Sequence, residues 1–141
     1  MNQLSAKIEI KVRFSEVDSL TIVWHGHYLK YFEDAREAFS GKYGLGYLET
    51  YRQGYVTPVV SIHCDYKMPL TYGDTAFVEA VFCNTEAAKI VIDYKITHGK
   101  TGVVIATGRT VQVFLDYSTR NLQLTIPSFF AEWKKKWRID T

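Results

Sequence analysis

Ile8, Ile10, Val12 and Phe14 alternate with Lys7, Glu9, Lys11 and Arg13. A period of two with β-branched side chains predicts a strand with one buried face. The period then lengthens. Tyr28, Phe32, Ala35, Phe39 and Tyr43 recur at intervals of three and four, with Tyr31 and Ala38 widening the stripe. Lys30, Glu33, Asp34 and Glu37 fall on the other side. That spacing predicts a long helix starting near Tyr28, buried along much of its length. Gly41, Gly44 and Gly46 mark its end.

An irregular stretch runs to Gly54, after which β signals return over residues 56–66, 75–85, 89–98 and 103–116. Pro69 and Gly73-Asp74 supply turn chemistry, and residues 84–87 and 99–102 read as hairpin turns. Pro127 opens a short helix in which Phe130, Trp133 and Trp137 share a side. The predicted order is strand, long helix, four strands in meander order, short helix. The class is α+β, an antiparallel sheet of about five strands with one long helix to cover it. One helix cannot mask so wide a sheet, so a second copy joined edge to edge is expected.

Composition sharpens this picture. The chain has 141 residues, 47% of them apolar and 15% aromatic, which fits one globular domain over residues 1–141. A net charge of +2, from 17 basic and 15 acidic residues, gives no ground for a nucleic-acid partner. Lys134, Lys135, Lys136 and Arg138 read as a solvated helix face. Cys64 and Cys83 have neither CxxC nor zinc-type spacing, so reduced thiols and no metal are expected. Residues 1–11 lack a signal-peptide apolar core, and no run of ~18 apolar residues occurs. The expectation is a cytoplasmic protein with no membrane span.

The chemistry concentrates between the first strand and the helix. Asp18 lies in a polar loop, the chain turns apolar at Ile22 and Val23, and Trp24, His25, Gly26 and His27 precede Tyr28. A carboxylate, an imidazole and the unpaired N–H groups of a helix start are the parts needed to attack a carbonyl and stabilise an oxyanion. Each residue has a plainer reading. Asp18 also suits an acid capping a turn, His25 and His27 suit a helix cap, and Trp24, Tyr28 and Phe32 suit core packing as well as an acyl pocket. The donors are expected among the N–H groups of residues 25–28, with Gly26 permitting close approach of a substrate. His63, Cys64 and Asp65 are strand neighbours whose side chains alternate between faces, which favours core or pocket-wall roles over a Cys–His nucleophile. Glu33 and Asp34 are fallback acids on the polar side of the helix.

Three stretches carry a family resemblance. The first is Asp18 followed by Val23, His25 and Tyr28. The second is Tyr31-Phe32-Glu33-Asp34-Ala35-Arg36, and the third is Tyr66, Pro69 and Gly73-Asp74. Together they resemble the hotdog-fold acyl-CoA thioesterases, in particular the 4-hydroxybenzoyl-CoA thioesterase group and the small bacterial thioesterases associated with the Tol–Pal cluster. The resemblance implies a sheet wrapped around the helix, a homodimer or homotetramer, and hydrolysis of an acyl-CoA or acyl-carrier-protein thioester with no cofactor. It implies Asp18 as the catalytic carboxylate, His25 as its assistant, and a substrate site near Trp24, Gly26, His27, Tyr28 and Phe32. The family commonly has Gly where Thr21 stands. A β-branched residue there predicts a different loop shape. Phe14 also lacks the aromatic hydroxyl that some members place near the acid.

Overall fold

A computed structural model describes residues 3–139. The first strand, β1 (Ser5–Lys11), buries Ala6 and half-buries Ile8 and Ile10, as the alternation predicts. Phe14 does not continue it. Residues Phe14–Glu16 form a 3-10 turn and the Phe14 ring is exposed, because the chain leaves the sheet at Val12. The long helix, α1 (His27–Tyr43), buries Tyr28, Tyr31, Phe32, Ala35, Phe39 and Tyr43 and stops at Gly44, φ 70°. A short helix follows, α2 (Tyr47–Arg52), where an irregular segment was expected. Its large side chains Tyr47, Leu48 and Tyr51 are exposed and only Thr50 is buried, so it leaves no amphipathic stripe in the sequence.

The remaining elements are β2 (Tyr55–Val56), β3 (Val59–Tyr66), β4 (Thr75–Cys83), β5 (Lys89–His98), β6 (Val104–Val113), β7 (Leu115–Asp116) and α3 (Ser128–Lys136). Two predicted strands are thereby split: residues 55–56 pair with residues 115–116 in a separate small ribbon. The main sheet is antiparallel with order β1-β4-β5-β6-β3. The meander therefore holds only for β4, β5 and β6. β3 crosses to the far edge, beyond β6, instead of lying beside β4. The Ile105 carbonyl, on β6, accepts the Lys67 and Met68 amides and keeps the chain there until the 71–74 turn carries it back across.

The inner face of this sheet wraps α1. Ala76, Val78, Ala80 and Phe82 of β4 and Ile90, Ile92, Tyr94 and Ile96 of β5 are buried against it. Phe32 stacks on Tyr94 with ring centroids 4.6 Å apart. Gly108 on β6 makes room for this pair, since a Cβ there would lie 2.4 Å from the Phe32 ring and 2.6 Å from the His63 carbonyl oxygen. On the outer face, Arg109 of β6 grips Asp93 of β5 through Nε to Oδ1 at 2.6 Å and a second bond at 3.0 Å. One end of the core is closed by α3 through Phe130 and Trp133. Lys134 is not solvated as the charge run suggested. It is fully buried, with Nζ donating to the Thr85 carbonyl at 2.7 Å and lying over the Phe130 ring. Among the described residues, no helix is long and apolar enough to cross a membrane.

Candidate active site

The stretch between the 3-10 turn and α1 folds back on itself as a short ribbon. Val17 bridges Val23, the Trp24 amide donates to the Glu16 carbonyl, and the Asp18 amide donates to the Ile22 carbonyl. Glu16 braces the base of this ribbon. Its Oε1 accepts the Arg13 amide at 2.8 Å and the Tyr31 hydroxyl of α1 at 3.0 Å. Burial, then the Glu16 carboxylate, holds the Tyr31 hydroxyl above the ordinary tyrosine range, so it stays a donor. The Val23 amide donates to the Leu70 carbonyl, which fixes the ribbon to the turn after β3.

Asp18 sits at the tip of the ribbon and is half-buried. Its Oδ1 accepts the Leu20 amide at 2.8 Å, and its carbonyl accepts the Thr21 amide. The turn closes with Thr21 at φ 67°. Thr21 thus takes the left-handed conformation that glycine would adopt without strain.

Trp24, His25, Gly26, His27 and Tyr28 gather at the other end. The Trp24 ring lies 5.1 Å from that of His25 and 5.5 Å from that of His27. Tyr28 is buried and packs edge-on against Tyr66 of β3, centroids 5.0 Å apart. Desolvation raises the Tyr28 pKa, against a hydrogen bond from the Leu70 backbone. The Tyr66 hydroxyl donates to the His25 carbonyl at 2.7 Å. Phe32 lies one turn deeper, stacked in the core and away from this surface.

The amides divide unequally. That of His27 donates to the Trp24 carbonyl at 2.9 Å, and that of Tyr28 to the His25 carbonyl at 3.4 Å. Those of His25 and Gly26 have no acceptor among the described residues. The expected donor set of residues 25–28 therefore narrows to His25 and Gly26. The space over Gly26 is filled by Trp24, whose ring atoms lie 2.2–2.7 Å from where a Cβ would stand. Glycine here accommodates a neighbouring side chain of the same chain.

Asp18 and His25 are linked through the ribbon backbone and not by a hydrogen bond between their side chains. Two cavities lie elsewhere. One, of about 630 Å³, runs between α1, α2 and the sheet and includes Glu33, Arg36 and Glu37. The other, of about 290 Å³, lies between β1 and α1. The Asp18–Gly26 region lines neither cavity and is flanked by the exposed rings of Phe14, Trp24, Tyr66 and Tyr72. His63 and Asp65 pair at 3.0 Å on the outer face, and burial raises both the Cys64 and the Cys83 thiols, so neither cysteine is poised as a nucleophile. Among the described residues no cluster of His, Cys, Asp and Glu could hold a metal.

A five-stranded antiparallel sheet wrapped around one long helix, with this ribbon at the helix mouth, defines a hotdog domain. Residues 12–134 match the family model of the thioesterase-like superfamily, and the chain belongs to that family. YneP of Bacillus subtilis, named provisionally as an acyl-CoA thioesterase, is 38% identical over 91 residues, covering 64% of this chain and 66% of that protein. The chain spans half to two-thirds of the length of the first curated relatives it matches. The crystal structure of a DHNA-CoA thioesterase from Staphylococcus aureus superposes with TM-score 0.82 at 25% identity, covering 95% of this chain and 89% of that one. The 4-hydroxybenzoyl CoA thioesterase of a Pseudomonas species shares the fold, with TM-score 0.77 at 20% identity over 92% of this chain and 98% of that one.

Proposed function

We propose that this protein hydrolyses an acyl thioester of coenzyme A, or of an acyl-carrier protein, to a free acid and a thiol. The observation that carries the reading is the half-buried Asp18 at the tip of a braced ribbon whose other end presents two unpaired amides. Family membership and the names of the relatives support it.

The thioester carbon is attacked from the Asp18 side while its oxygen faces the His25 and Gly26 amides. In one route Asp18 takes a proton from water as that water attacks. In the other Asp18 attacks directly, forms a mixed anhydride with loss of the thiolate, and water then hydrolyses the anhydride. Both break the C–S bond and return the proton to the departing sulfur. His25, at the mouth of α1, orients water or the thioester. Trp24, His27 and Tyr28 form the wall beside the reacting centre. Phe32, deep in the core, supports that wall from behind.

The assembly belongs to this reading. β3 is an unpaired edge of the sheet, and Val60 (58% exposed) and Ile62 (48% exposed) leave apolar surface along it. A second copy pairing edge to edge covers that surface and closes the site from the opposite side. Two such dimers can associate further into a homotetramer. Unpaired Cys64 and Cys83 suit the reducing cytoplasm, where coenzyme A thioesters would be met.

The test is thiol release from benzoyl-, hexanoyl- and palmitoyl-CoA by the wild type and by Asp18→Asn. A loss of ~100-fold or more is expected from removing a positioned carboxylate. Full activity in the variant would remove Asp18 from the mechanism. Tight thioester binding with no thiol release from the wild type would instead favour a non-catalytic acyl-CoA or acyl-carrier binding protein using the same pocket. The departures at Leu20-Thr21 and the missing hydroxyl at Phe14 give that second reading its footing.

A further inference from the structure

The two unpaired amides belong to peptides whose carbonyls are already engaged. The Trp24 carbonyl, in the same peptide as the His25 amide, accepts the His27 amide. The His25 carbonyl, in the same peptide as the Gly26 amide, accepts the Tyr66 hydroxyl at 2.7 Å. A trans peptide is planar, with its C=O and N–H pointing in opposite directions. Fixing one end therefore aims the other, and a donor at the oxygen draws charge toward it and makes the N–H a stronger donor in turn.

We propose that Tyr66 is a positioning residue for thioester hydrolysis, holding the His25–Gly26 peptide so that its N–H faces the developing oxyanion and strengthening that bond. The inference rests on the thioesterase reading given above. Tyr66 lies 41 residues from His25, on a different element, so nothing local demands the contact. Satisfying an orphaned carbonyl does not account for it either, because the Tyr28 amide also donates to that oxygen, at 3.4 Å. The Tyr66 ring is set by edge contacts with Tyr28 at 5.0 Å and with His25 at 6.3 Å. Desolvation, then the neighbouring Cys64 thiol, pushes the Tyr66 hydroxyl up to about 12, so it keeps its proton across the working range.

Tyr66→Phe retains the ring and deletes the hydroxyl. With benzoyl-, hexanoyl- and palmitoyl-CoA as substrates, kcat is expected to fall about tenfold with KM little changed, the signature of an interaction strengthened in the transition state. The thermal midpoint should hold. A second readout uses benzoyl-CoA labelled with ¹³C at the carbonyl and bound to the Asp18→Asn protein. Adding Tyr66→Phe should shift the bound carbonyl stretch to higher frequency, as a weaker hydrogen bond requires. An unchanged kcat together with an unchanged stretch overturns the proposal, as does a loss of kcat matched by a lowered melting midpoint with no shift in the stretch. A wild type that releases no thiol from any of the three substrates overturns the thioesterase reading itself, and this inference with it. Normal wild-type turnover with a silent Tyr66→Phe overturns this inference alone.

Discussion

Thr21 shows how much a single residue here is asked to tolerate. A β-branched side chain at φ 67° costs about 1–2 kcal/mol relative to an ordinary conformation. Thr21→Gly relieves that cost but adds freedom to the unfolded chain, so a net gain of about 0.5–1 kcal/mol is expected. Urea denaturation checks it, and a lowered midpoint would mean that the threonine side chain contributes more than its backbone strain removes. At this scale the sequence points to a candidate site only where the grouping is local. Asp18, His25 and the helix mouth lie within eleven residues of one another, and their order along the chain already suggested a carbonyl site. The Tyr66–His25 bond was not readable, because no local period links positions 41 residues apart. Nor was the burial of Lys134, which depends on a carbonyl of the β4–β5 turn and a ring one helical turn back.

Among the elements, α1 was the most legible, because one repeating stripe both makes it a helix and buries it. β5 was equally clear, with Ile90, Ile92, Tyr94 and Ile96 all turned inward. The position of β3 in the sheet was hidden. Strand order depends on which edge a chain can reach after a turn, and the period of a strand carries no information about its neighbour. At Gly108 the packing of α1 on the sheet leaves no space for a Cβ. Gly108→Ala should cost about 2–3 kcal/mol, since one contact is a backbone oxygen that cannot swing aside. A thermal melt of the purified variant measures this. A near-neutral result would show that β6 and α1 can separate by several tenths of an ångström.

For the molecule as a whole, acid stability should draw on the outer face. The Arg109 guanidinium holds the Asp93 carboxyl below its ordinary value of 3.8. A depressed carboxylate stabilises the fold above that value, and the contribution is lost as pH falls from about 4 through the folded pKa. Melting midpoints of wild type and Asp93→Asn should therefore converge as pH drops from 6 to 3, the wild type losing more. Parallel curves would mean that this pair, exposed as it is, contributes nothing measurable. Assembly is tested by Ile62→Lys, which places a charge on the bare β3 edge. On the proposed edge-to-edge assembly, the wild type should migrate as a dimer in size exclusion and the variant as a monomer at the same concentration. The edge left bare on one chain is also the strand that carries Tyr66. If pairing is what steadies that strand, dilution below the dissociation constant loosens the reactive turn as well as the assembly. Turnover would then rise more steeply than in proportion to the amount of protein, and a cell could change its output severalfold with a modest change in expression.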